Sequence, residues 1–171
     1  MIVEDGTGLT DSNSYVSVDF ADNYFSARNI SEWNDLEISV KESALIRATD
    51  YIDNIFQWYG KKLNSEQALR FPRINLVDYE GTEINGIPNC LMQSVCEASL
   101  LIVKGIELFQ TKEANGDVVS ETIGQLSFTY SKSSKSDVAG VSLYDSINTK
   151  LRGLFKDMSK SRIVISKVER V

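Results

Sequence analysis

Ala44-Leu45-Ile46-Arg47-Ala48-Thr49-Asp50-Tyr51-Ile52-Asp53 is the stretch on which the fold turns. Leu45, Ala48 and Ile52, continued by Ile55, Phe56 and Tyr59, recur every three or four residues, the spacing that lines one side of an α-helix with apolar groups. Ser39 with Glu42 three residues later has the spacing of a capping box and predicts where this helix begins. Gly60 is placed to end it. On this reading Arg47, Asp50 and Asp53 face outward, and Arg47 pairs with Asp50 or a neighbouring carboxylate.

Upstream, residues 1–14 are rich in Gly, Asp, Ser, Thr and Asn and read as an extended or looping arm with little core of its own, the arm reaching to about residue 16. Phe20, Ala21, Tyr24 and Phe25 predict a helix from about Val18 to Asn29, with Ser17 as its N-cap. Trp33 and Leu36 fall in a short turn or helix. Downstream, residues 61–87 read as an exposed loop or small hairpin with Glu80-Gly81 at a turn. Pro88 suits the first turn of a helix running to about Gln110. Its residues Leu91, Val95, Ala98, Ile102, Ile106 and Phe109 form one apolar stripe, and Met92, Cys96, Leu100 and Val103 form another, which predicts a position at the centre of a bundle or between subunits.

After the turn Asn115-Gly116-Asp117, a β-prone segment at about 118–131 carries the alternation Leu126, Phe128, Tyr130. Ser131 to Ser136 reads as a polar loop, and Ser142 opens a last helix with Leu143, Ile147, Leu151, Leu154 and Phe155 on one side. The expected fold is therefore mainly α: a small helical bundle at 1–157 with a minor β-hairpin, followed by an extended C-terminal tail at 158–171.

At 171 residues and 42% apolar content the chain has the size of one domain with one core. Eighteen basic and 24 acidic residues leave a net charge of −6, which repels free nucleic acid on average. The charge is uneven. Residues 1–60 hold three basic side chains against eleven acidic ones, while residues 111–171 hold ten basic against seven acidic. Either these are two solvated faces with nothing in particular bound to them, or the opposite ends meet different partners, such as neighbouring copies in a ring or a channel carrying DNA.

Histidine is absent, which removes the commonest general base near neutral pH and excludes triads built on Ser-His or Cys-His. Cys90 and Cys96 lie six apart, on different faces of a helix, so they do not bridge and read as core fillers. Two free thiols fit a reducing cytoplasm, and no signal peptide is expected at the start. The longest apolar run, Leu100 to Val103, is far too short for a membrane span.

No phosphate loop, dinucleotide fingerprint or metal-ligand spacing is present. Asp50 and Asp53, at i and i+3, could hold a divalent cation, but read as solvated helix carboxylates. Gly6-Thr7-Gly8 lacks the helix-borne lysine of a phosphate site. Trp58, Tyr59, Lys61 and Lys62, joined by Arg70, Phe71 and Arg73, form the best aromatic–basic cluster of the kind that stacks and neutralises single strands. The competing reading is that Trp58 and Tyr59 finish a core helix that the lysines cover. Arg162-Ile163-Val164-Ile165-Ser166-Lys167-Val168 is a β-prone segment able to add as a strand to another protein, or to pair internally with residues 123–130. No catalytic, cofactor-binding or metal-binding residue is expected, and the chain does not read as an enzyme.

Several motifs together carry a resemblance. They are Glu4-Asp5-Gly6-Thr7-Gly8, Asn13-Ser14-Tyr15-Val16-Ser17, Tyr24-Phe25-Ser26-Ala27-Arg28, Trp33, Ala44 to Asp53, Trp58, Gln67-Ala68-Leu69, Phe71-Pro72-Arg73 and Ile87-Pro88. Over roughly residues 2–110 the chain resembles a tailed-bacteriophage family often labelled DnaT-like single-stranded DNA-binding protein, whose members look like head-tail adaptors, also called head-completion or neck proteins. Phe71 stands where the family often has Trp, and the C-terminal third matches in outline. The resemblance implies a ring, usually of twelve copies, docked under the portal protein in the virion neck after assembly in the host cytoplasm. It further implies a downstream neck or tail-completion partner, double-stranded DNA passing through the lumen without sequence-specific contact, and a tail reaching toward the portal. It implies no cofactor and no membrane. The label itself implies the alternative of a single-stranded DNA-binding module.

Overall fold

The computed structural model describes residues 1–78, 80–106, 108, 120–123, 126–129 and 143–156. Among them, helices α1 (Val18–Ser26), α2 (Ser31–Asn34), α3 (Ile38–Ile55), α4 (Asn89–Val103) and α5 (Leu143–Lys150) dominate. The strands are β1 (Lys61–Lys62), β2 (Arg73–Ile74), β3 (Ser120–Ile123) and β4 (Leu126–Thr129). The mainly α reading with minor β structure holds.

α1 starts where Ser17, in extended conformation, accepts a hydrogen bond from the Phe20 amide, satisfying one of the free donors of the first turn. It closes at Asn29, whose φ of 54° is one that Asn tolerates better than most residues, and the Ile30 amide returns to the Phe25 carbonyl. α2 then drops Trp33 into the core against Phe25, with ring centroids 4.7 Å apart. The Trp33 indole N–H donates to Asp22 at 2.7 Å, and the buried Lys41 ammonium reaches the same oxygen at 3.0 Å. One α1 carboxylate thus ties the second and third helices to the first.

α3 differs from its sequence reading at both ends. It begins at Ile38 behind Glu37, which makes no side-chain cap, so Ser39 lies within the first turn and cannot act as the N-cap of a capping box. Phe56 turns extended (φ −105°, ψ 140°), which ends the helix before the predicted stripe is complete. Leu45, Ala48 and Ile52 are buried as expected, with Ala44 beside them, whereas Ile55 and Tyr59 come to the surface. Gly60 serves another purpose. It takes φ +69° where the chain turns into β1, and a Cβ there would lie 2.6 Å from the Ile74 carbonyl oxygen.

β1 and β2 pair antiparallel, Lys61 opposite Ile74 and Lys62 opposite Arg73. The segment between them is not the exposed loop of the sequence reading, because Gln67, Leu69, Phe71 and Pro72 are buried. A second turn follows, closed by the bridge of Val77 with Glu83 and by Asp78, whose carboxylate accepts from the Glu80 and Thr82 amides.

α4 occupies the centre and packs most extensively on α3. Leu91, Val95 and Ala98 on one side and Cys96 and Leu100 on another are all buried, as the double stripe predicts. Ser94 and Ser99 sit among them because each hydroxyl donates to a carbonyl of its own helix. The helix is shorter than predicted. It ends at Val103, where Gly105 at φ +79° lets the Ile106 amide turn back to the Leu101 carbonyl.

β3 and β4 form an antiparallel hairpin with Ile123 opposite Leu126, inside the predicted β-prone segment. α5 and the turns after it bury Ile147, Leu151 and Leu154. Phe155 bridges to Trp58, and the Lys156 amide donates to the Gln57 carbonyl at 2.7 Å. Phe109, the loop at Ser131 to Ser136, Ser142 and the tail with Arg162 to Val168 lie outside the described residues.

Candidate functional site

The N-terminal arm is an organised element. Glu4 is buried, and its two carboxylate oxygens accept from the amides of Gly6, Gly8 and Leu9 and from the Ser12 hydroxyl. The Gly6 and Gly8 amides, the donors a phosphate would need, are therefore taken by the chain's own carboxylate. Asp5 meanwhile takes the Thr7 hydroxyl and amide at 2.6 and 2.9 Å, which holds its carboxyl below the usual range. The arm continues into Tyr15 and Val16, both almost fully buried.

Tyr15 meets Asp53, and here the sequence reading needs correction. Asp53 does not face outward beside Asp50: it is 9% exposed and accepts the Tyr15 hydroxyl at 2.6 Å and the Arg70 amide at 2.9 Å. The Tyr15 oxygen in turn accepts the Phe71 amide at 3.0 Å. Burial raises the Asp53 carboxyl above its ordinary value despite these donors, and burial beside that carboxylate raises the Tyr15 phenol. Asp50 stays on the surface, so the pair does not form a cation site. Among the described residues no group of acidic or cysteine side chains is arranged to hold a metal ion.

The aromatic–basic cluster is brought together and also divided. Trp58 and Phe71 are buried with centroids 5.0 Å apart in edge contact, and Trp58 packs on Phe56 and Phe155 as well. Neither ring offers a face to a base. Arg73 donates to the carbonyls of Tyr59, Gly60 and Arg70, and the Lys62 ammonium donates to the Gln67 carbonyl. What remains on the outside is Tyr59, 44% exposed, with Lys61 and Arg70.

A second charged cluster, not foreseen from the sequence, joins α1, α4 and α5. Glu97 pairs with Lys150 and accepts from the Tyr24 hydroxyl at 2.9 Å; Lys150 also reaches that hydroxyl, and Arg28 lies 3.5 Å over the Tyr24 ring. Burial opposes the charge on Lys150, but its bonds to Glu97 and Tyr24 outweigh it and raise its pKa. Its members are 24, 28, 97 and 150, too far apart in sequence for any spacing rule to link. The thiols take no part in a site: burial pushes Cys96 up to about 12 and raises Cys90 too, which leaves both protonated at neutral pH. Arg47 is exposed and makes no ion pair among the described residues, so the expected pairing with Asp50 is not made.

A family model described as "Putative DnaT-like ssDNA binding protein" matches residues 1–171. The chain belongs to that family. The match takes in the C-terminal third, beyond the residues that carried the resemblance in sequence. No curated protein and no solved structure matches the chain. Within the family's motifs as they stand here, Glu4, Tyr15, Asp53, Gln67 and Phe71 all have internal structural roles, and none is left facing solvent as a reactive group.

Proposed function

We propose that this family member is a structural connector: a head-tail adaptor that forms a ring under a phage portal, extends the DNA channel and gives the next neck or tail component a surface on which to dock. The observation that carries this reading is the use of the motif residues. Glu4, Tyr15, Asp53 and Phe71 lock an arm, a helix and a loop into one rigid body, which suits a part that works by its surfaces. The excess of acidic residues supports it further, since an acidic lumen lets DNA slide without adhering. No step of such a role requires catalysis. The segment Arg162 to Val168 would add a strand to the portal or to a neighbouring copy. Deleting residues 162–171 is expected to leave the unfolding transition in place and to weaken capture of purified portal; unchanged capture rules out the tail as the anchor.

A second reading is single-stranded DNA binding. The family's description favours it, and so does the exposed group of Tyr59, Lys61 and Arg70, a ring and two cations that make no ion pair among the described residues. Fluorescence anisotropy with a labelled oligothymidine separates the two. On the connector reading there is no binding even at low salt; on the second, binding appears and falls steeply as salt is added.

A further inference from the structure

β1 and β2 form a ribbon whose two faces are built differently. Lys62 and Arg73 stand opposite each other on one face and are half-buried: the Lys62 ammonium donates to the Gln67 carbonyl, and the Arg73 guanidinium to the carbonyls of Tyr59, Gly60 and Arg70. Lys61 and Ile74 stand opposite each other on the other face, and both are exposed. The ladder runs on through the Leu63 amide, which donates to the Pro72 carbonyl at 3.1 Å, so Leu63 lies on the same face as Lys61. Leu63 is 46% and Ile74 39% exposed, and Tyr59, just before the Gly60 turn, joins them at the surface. This outward face sets a cation among apolar groups. Lys61 makes no ion pair among the described residues, and neither does the exposed Arg70, whose carbonyl Arg73 ties to those of Tyr59 and Gly60.

What meets such a face must answer both its charge and its apolar groups. Residues 57–77 carry four basic side chains against one acidic one, Glu66, inside a chain whose net charge is −6, so an anionic partner is drawn here and repelled elsewhere. A single strand of nucleic acid supplies the charge, but it stacks on aromatic faces, and here Trp58 and Phe71 are turned inside while aliphatic Leu63 and Ile74 stand outside. A peptide supplies both charge and apolar groups. Lys61 and Leu63 lie two residues, about 7 Å, apart along one strand face, the repeat with which an extended chain presents its own alternate side chains. We propose that this face docks an extended segment of a partner protein in which carboxylate and apolar side chains alternate on one side, the carboxylate meeting Lys61 and the apolar groups covering Leu63 and Ile74. On the connector reading, on which this rests, the segment belongs to the next component of the assembly.

The test is fluorescence anisotropy of a labelled Leu-Ser-Glu-Ser-Leu-Ser-Glu-Ser-Leu peptide titrated with the full-length protein. The wild type is expected to bind it saturably, with a dissociation constant below about 1 mM that rises with salt. It is expected to bind the version with Lys in place of Glu at least about fivefold more weakly. Lys61→Glu with Arg70→Glu, and separately Leu63→Ser with Ile74→Ser, are each expected to lose at least about fivefold in affinity; all four side chains are exposed, and unfolding curves check that both variants fold. No binding by the wild type, equal binding of the two peptides, or variants that bind like wild type would each overturn the proposal. So would any result that gives the face to another occupant: oligothymidine displacing the peptide at a lower concentration than the peptide itself requires, self-association that Leu63→Ser/Ile74→Ser abolishes, or a gain of about tenfold in peptide affinity on deleting residues 162–171. Portal capture is read separately: a wild type that binds the peptide but captures no portal sinks the connector reading and leaves the docking face standing.

Discussion

Tyr15 uses its hydroxyl in both directions, donating to Asp53 and accepting from the Phe71 amide, in a place where water does not reach. Removing the oxygen leaves a buried carboxylate short of one donor and a buried amide without an acceptor. Tyr15→Phe is expected to lower the stability by about 1–3 kcal/mol in urea unfolding, while Tyr59→Phe, on the surface, stays near wild type. The outward placement of Asp53 failed for a physical reason. Helical spacing reports which side of a helix is apolar but is silent about a carboxylate that the rest of the chain surrounds with donors. Tyr15 and Asp53 are both in the motifs that carried the family resemblance, yet nothing in their spacing of 38 residues says that they touch.

At the scale of elements, what local chemistry controls was legible and what distant partners control was not. Ser17 caps α1 and the α4 stripes are buried because each depends on residues within a few positions. The early end of α3 depends instead on Trp58 leaving the helix to pack on Phe71 and Phe155, a contact 13 residues away in one case and 97 in the other. The docking of α5 depends on the joint of Lys150 with Glu97 and Tyr24. The pKa values of Lys150 and Tyr24 are both raised in the folded chain, so the fold retains protons that the unfolded chain has already released. Their contribution to stability is complete below the ordinary lysine and tyrosine values and is lost as pH rises through the raised ones. Urea midpoints measured from neutral pH to about pH 11 are expected to fall at the alkaline end, and to fall less in Lys150→Met, which lacks the titrating ammonium.

For the whole molecule, the sequence revealed class and charge, and the structure adds where the charge is placed. A net of −6 argues against a nucleic-acid binder on average, but the average conceals the patch of Lys61 and Arg70 around Tyr59. That patch is where a single strand would meet the chain on the second reading, and binding there would weaken as salt is added.

The joint of Tyr15, Asp53 and the Arg70 and Phe71 amides also bears on how the molecule opens. It links three stretches of chain separated by 38 and 56 residues, so none of them can come away without breaking the same buried bonds. Arm, helix and connecting loop are thus expected to open as one cooperative unit, with the Arg70 and Phe71 amide protons slow to exchange although they lie between two short strands, which native-state hydrogen exchange checks.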